Sequence, residues 1–132
     1  MGSIVNFARD GIAFLTGFVT SADLSIFHDF EPPPTGGGHQ FLRAFWGQVE
    51  ARGLRVENNL ISRTTRACLF NSFNFRESLL KFTKRDSVLY VHRVVGPIDV
   101  YRGRDDGVDR GIQAVNRRFA AKSIFQSNYS LE

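Results

Sequence analysis

The sequence predicts an α+β fold: an antiparallel meander sheet of about four strands covered by two or three helices. Three observations carry this expectation. Residues 4–19 and 39–52 repeat their apolar side chains every three to four positions, as amphipathic helices do. Between residues 54 and 101 the repeat shortens to two, the period of half-buried strands. Residues 108–119 then return to a helical stripe. Strands grouped apart from helices point to the α+β class rather than to strict alternation. At 132 residues the chain is one domain. Within it, residues 1–30 read as an amphipathic N-terminal helical segment, 31–38 as a Pro/Gly spacer, and 39–132 as the α+β globular body.

The first helix is "IVNFARDGIAFLTGFV". Wound at 100° per residue, Ile4, Phe7, Ile12, Phe14, Leu15 and Phe18 share a broad apolar face, while Asn6, Arg9, Asp10 and Thr16 share the other. Its two internal glycines each cost about 1 kcal/mol relative to alanine, so it needs a surface to pack on. "SADLSIFHDF" carries no clear period. In "EPPPTGGGHQ" the prolines favour an extended polyproline form and the glycines restore freedom. The second helix, "HQFLRAFWGQVEAR", has Phe41, Leu42, Phe45, Trp46 and Val49 on one stripe, and Gly53 stands where a C-terminal cap belongs. "LRVENNLI" and "RACLFNSFNF" read as strands, with a helical turn over residues 77–84. "SVLYVHRVVGPIDVYR" is the strongest strand signal, and Gly96-Pro97 divides it into an expected hairpin. Asp106 is the expected N-cap of the last helix, with Asp109 at its third position. Val108, Ile112, Val115 and Phe119 form the core stripe of that helix. The tail "QSNYSLE" reads as loose.

Composition narrows function by exclusion. The net charge of +4 is carried by 14 arginines and three lysines, spread along the chain with no basic run. Arginine suits phosphate and carboxylate, and its interleaving with phenylalanine admits nonspecific nucleic-acid or phosphate contact. A single cysteine, Cys68, excludes an internal disulfide and a thiolate metal site, which favours an intracellular compartment. No apolar run is long enough to span a membrane.

No motif specifies a reaction. A Walker-type loop lacks its Gly-Lys-Ser/Thr, and Gly36, Gly37 and Gly38 lack the spacing of a dinucleotide loop. Glycines feeding a helix can still bind an anion through backbone N–H groups, but a spacer is the better reading of this stretch. His28, His39 and His92 have no zinc spacing. Asp99, Asp105, Asp106 and Asp109 lack the alternation of a calcium loop. The expectation is therefore a non-catalytic accessory subunit of a protein assembly without a cofactor. It would dock on other subunits, of its own or another kind, through Ile4, Phe7, Phe14, Leu15 and Phe18. The alternatives are a small enzyme or ligand-binding domain with a pocket near Tyr90, His92, Arg93 and Asp99, and an RNA-associated protein.

Overall fold

The computed structural model describes residues 2–33, 36–95, 99, 103 and 107–125. Helices α1 (Gly2–Thr16), α2 (Gly37–Ala51), α3 (Glu77–Thr83) and α4 (Val108–Phe119) alternate with strands β1 (Leu24–Phe27), β2 (Val56–Asn58), β3 (Ala67–Phe70), β4 (Leu89–Val94) and β5 (Lys122–Phe125). The strands form one five-stranded sheet in the order β2-β1-β3-β4-β5. All four pairings are parallel.

This corrects the expected α+β meander. The domain is a Rossmann-like α/β fold, and β4 pairs with β3 and β5 in parallel instead of opening a hairpin. The returning arm of that hairpin, at residues 96–98 and 100–102, lies outside the described residues. A period of two marks a strand but not the direction of its neighbour. Three connections here contain helices: α2 between β1 and β2, α3 between β3 and β4, and α4 between β4 and β5. The first of them runs opposite to the other two from the β1–β3 boundary, so α2 falls on one face of the sheet and α3 and α4 on the other.

The core divides accordingly. On one face Ile26, Leu42 and Leu69 are buried together, with Phe45, Trp46 and Val91 packed against them under α2. On the other, Phe27, Cys68, Phe70 and Tyr90 from the strands meet Leu79 and Leu80 of α3 and Phe119 of α4. Each fully buried Phe or Leu contributes about 2 kcal/mol relative to exposure. Helix α1 packs on α3, where Arg76 Nη2 stands 2.8 Å from the buried Asp10 carboxylate. Helix α2 ends as its glycine predicts. Gly53 takes a φ of 82°. Its N–H donates to Glu50, and that of Leu54 to Val49. The expected N-cap Asp106 lies outside the described residues, and the N-cap position of α4 is Gly107 at φ 79°. The tail read as loose begins with Gln126, past β5, and is also outside them.

The β2–β3 connection, residues 59–66, must pass β1 without a helix. Eight extended residues reach roughly 27 Å, enough to return along a three-residue strand. Ile61 anchors the connection in the core, and Ser62 and Thr65 are buried with it. The Glu57 carboxylate accepts the Ser62 N–H at 2.9 Å and also both hydroxyls. Arg63 N–H donates to the Gly17 carbonyl at 2.8 Å, holding this loop against the end of α1.

That contact leaves no room at Gly17. An added Cβ would lie 2.1 Å from the Ile61 carbonyl oxygen, whereas at Gly11 nothing lies within 4 Å. Gly17→Ala is expected to destabilise the domain by about 2 kcal/mol through forced backbone movement. Gly11→Ala should stabilise it by up to about 1 kcal/mol. Urea denaturation of both variants checks the pair, and equal effects would contradict the close approach.

Candidate functional site

The site grows out of strand periodicity. Ile26 pairs in register with Leu69, and Leu69 with Val91, making one apolar row beneath α2. Two residues further along each strand the same face carries His28, Asn71 and Arg93. The sheet therefore ends, at its carboxyl edge, in a polar row directly beyond an apolar one. Helix α2 begins over this row, bringing Gly37, Gly38 and His39 to it.

These groups line one half-open cleft of about 730 Å³, with Phe41, Phe73 and Ile124 among its apolar walls. Arg93 is only 7% exposed. Its Nη1 donates to Asn71 Oδ1 at 3.0 Å, and the guanidinium lies 4.5 Å from the Phe41 ring centre. Among the described residues no carboxylate pairs with it. Burial pulls its pKa down from the ordinary arginine value. Gly38 lies close by: a Cβ there would stand 3.8 Å from Arg93 Nη1 and 3.6 Å from Asn71 Nδ2. The N-cap Gly36 supplies no side-chain hydrogen bond, and the first turn of α2 has no acidic residue. Its first N–H groups thus have no acceptor within the helix and form its positive end.

His28 and His39 form a buried pair, Nε2 to Nδ1 at 3.0 Å, and Asn71 Nδ2 lies 3.2 Å from His28 Nδ1. Burial, then His39, Arg93 and Arg43, lowers the His28 pKa to about 4.

The residues singled out from sequence fall in different places. Arg93 lies in the cleft. Tyr90 lies in the core of the opposite face. Its hydroxyl accepts the Arg85 N–H at 3.0 Å, and burial raises its pKa to about 12. His92, on that same face, stacks on Phe70 at 4.4 Å, and its Nδ1 accepts from Asn116 at 3.0 Å. Its Nε2 is buried without a partner, and burial lowers its pKa to about 4. Asp99 exchanges backbone-to-carboxylate hydrogen bonds with Asp109 near the start of α4. Ile4, Phe14 and Leu15 on α1 and Phe18 in the turn after it are exposed, and Phe14 meets Phe82 edge-on at 5.6 Å. The Phe7 side chain lies outside the described residues. Cys68 is fully buried and its thiol is held well above the ordinary value by that burial, so it packs rather than reacts. Among the described residues no group of three His, Cys, Asp or Glu is placed to hold a metal, and no helix is long and apolar enough to cross a membrane.

Sequence reasoning missed the convergence of His28, His39, Asn71 and the glycines. The readable signal was a polar residue two positions after the last apolar residue of one phase in three separate strands: Ile26 to His28, Leu69 to Asn71, Val91 to Arg93. No protein family, curated protein or solved structure matches the chain.

The two depressed histidines make stability depend on pH. Between about pH 4 and 6.5 the unfolded chain binds more protons than the folded one. Their contribution is full above pH 6.5 and is lost as the pH falls toward 4, by at most about 1.4 kcal/mol per unit for each histidine. Denaturation midpoints measured across this range should fall with pH, and His92→Gln should flatten the slope. A pH-independent midpoint would contradict the burial of both rings.

Proposed function

We propose that the chain binds a phosphate-bearing small molecule across the carboxyl end of its sheet. The phosphate would sit between the start of α2 and Arg93, and a less polar part of the ligand against Phe41, Phe73 and Ile124. A nucleotide has this make-up. The observation that carries the reading is Arg93, a buried cation with no carboxylate partner among the described residues, facing a helix start without a cap. Burying an unpaired charge is expensive, and Asn71 and Phe41 offset only part of that cost. Open parallel sheets bind ligands outside the carboxyl ends of their strands, where the connections diverge to opposite faces. Here that crevice lies between β1 and β3, and the cleft falls within the roughly 300–1,000 Å³ of small-molecule sites.

Calorimetric titration of the chain with inorganic pyrophosphate and with nucleoside diphosphates tests the reading. Arg93→Gln, with its fold checked by circular dichroism, should weaken binding about thirtyfold, the loss of a charge-assisted hydrogen bond worth about 2 kcal/mol. Absence of binding by the wild-type chain to every phosphate-bearing probe would overturn it.

A second reading rests on a separate observation. Helix α1 leaves Ile12 65% and Leu15 64% exposed, with Ile4 and, in the turn that follows, Phe18 and Val19 also exposed. Such a surface suits a protein partner. A second copy of the chain is the occupant proposed, because one apolar face can complement itself about a two-fold axis. Light scattering should find a dimer that Ile12→Glu/Leu15→Glu converts to a folded monomer. A wild-type monomer at about 100 µM would overturn self-association.

A further inference from the structure

His39 is 8% exposed and lines the cleft. Its Nδ1 meets His28, and this is the ring's one hydrogen bond among the described residues. The proton positions along this line can be assigned from its fixed end. Arginine has only donors, so Arg93 Nη1 must donate to Asn71, and the amide must present its oxygen there. The other end of the amide, the NH₂ group, then faces His28 Nδ1. That nitrogen must accept, which puts the neutral proton of His28 on Nε2. His28 Nε2–H faces His39 Nδ1, which must accept in turn. The proton of a neutral His39 is thereby left on Nε2.

We propose that Arg93, acting through Asn71 and His28, fixes His39 in its Nε2–H tautomer, so that the cleft meets its ligand with a hydrogen-bond donor at this position. The inference rests on the ligand-binding reading of the cleft and extends it. Arg93, His39 Nε2 and the first N–H groups of α2 are then all donors. The ligand group that satisfies them is one that only accepts, a phosphate or carboxylate oxygen rather than an amine or amide N–H.

The alternatives each set donors against one another. Turning the Asn71 amide would aim its NH₂ at Arg93 Nη1 across 3.0 Å. A proton on His28 Nδ1 would face the same NH₂ across 3.2 Å. The charged and titratable groups acting on His28 are His39 and Arg43 from α2 and Arg93 from β4, with no carboxylate among them to favour a second proton. Phe30 meets the His28 ring edge-on at 4.8 Å and offers no acceptor. Asn71 and His28 are therefore positioning residues, and their effect is read in the tautomer of His39.

The test is a long-range ¹H–¹⁵N correlation spectrum of the full chain labelled at histidine, first without ligand. Both His28 and His39 should show a protonated Nε2 and an unprotonated Nδ1. Asn71→Asp puts a carboxylate, which only accepts, against His28 Nδ1, and should move the proton of both rings to Nδ1 without displacing Arg93. An Nδ1–H tautomer or an averaged signal for His39 in the wild type would overturn the relay, leaving the cleft reading intact. Inorganic pyrophosphate is then added. A shift at His39 Nε2 and its proton, absent in Arg93→Gln, supports the donor role. Calorimetric binding that leaves His39 Nε2 unmoved would overturn that role alone. The wild-type spectrum decides the relay even if a variant fails to fold.

Discussion

Leu69 lies between Ile26 and Val91 in the sheet, and the position of the site follows from that register. The row is apolar and closed by Leu42 of α2, so it is held by burial. The next row on the same face consists of His28, Asn71 and Arg93, linked by hydrogen bonds. A slip of one residue in any of these strands would exchange its two faces. In β3 it would put Phe70 under α2 and carry Asn71 to the side of α3. The hydrophobic core and the polar cluster thus select the same pairing, and neither can be changed without the other.

On the opposite face, beside helices α3 and α4, one connection supports this arrangement without regular structure. The β2–β3 connection has no helix to bury its backbone groups, so side chains do so. Glu57 gathers the Ser62 N–H and two hydroxyls, and Arg85 donates to the Ser62 carbonyl. Thr20 adds a hydroxyl contact to Ser62 at 2.6 Å, joining the segment after α1 to the same knot. Removing Glu57 would leave several buried donors unmatched, a larger loss than any one surface contact. The short strand β1 lies between the two strands that this connection joins.

Much of the local structure was legible. The stripes in residues 4–19, 39–52 and 108–119 mark α1, α2 and α4, Gly53 caps α2, and residues 77–84 hold α3. The sheet direction was not. Strands of three to six residues alternate in the same way whether their neighbours are parallel or antiparallel. β1 was hidden because "LSIF" is too short for a period, and β5 because "KSIF" follows a helix without a turn signal. The site was illegible for a related reason. His28, His39, Asn71 and Arg93 are spread over 66 positions (93 minus 28, plus one) and meet only through the parallel register. The expected pocket joined Tyr90, His92, Arg93 and Asp99, but alternation along β4 sends Arg93 to the face opposite Tyr90 and His92.

The uncapped start of α2 has a consequence for folding. A helix usually finishes its first turn with its own Ser, Thr, Asp or Asn, and here that position is Gly36. The unfinished end belongs to the helix that closes the core over Ile26 and Leu69. An anion seated there would act as the missing cap, so cap strength would be set by concentration rather than by sequence. At a hundred times its dissociation constant such a ligand adds about 2.7 kcal/mol to the folded state. The domain would then be most stable where its ligand is abundant, and the first turn of α2 would be the part of the chain that registers supply.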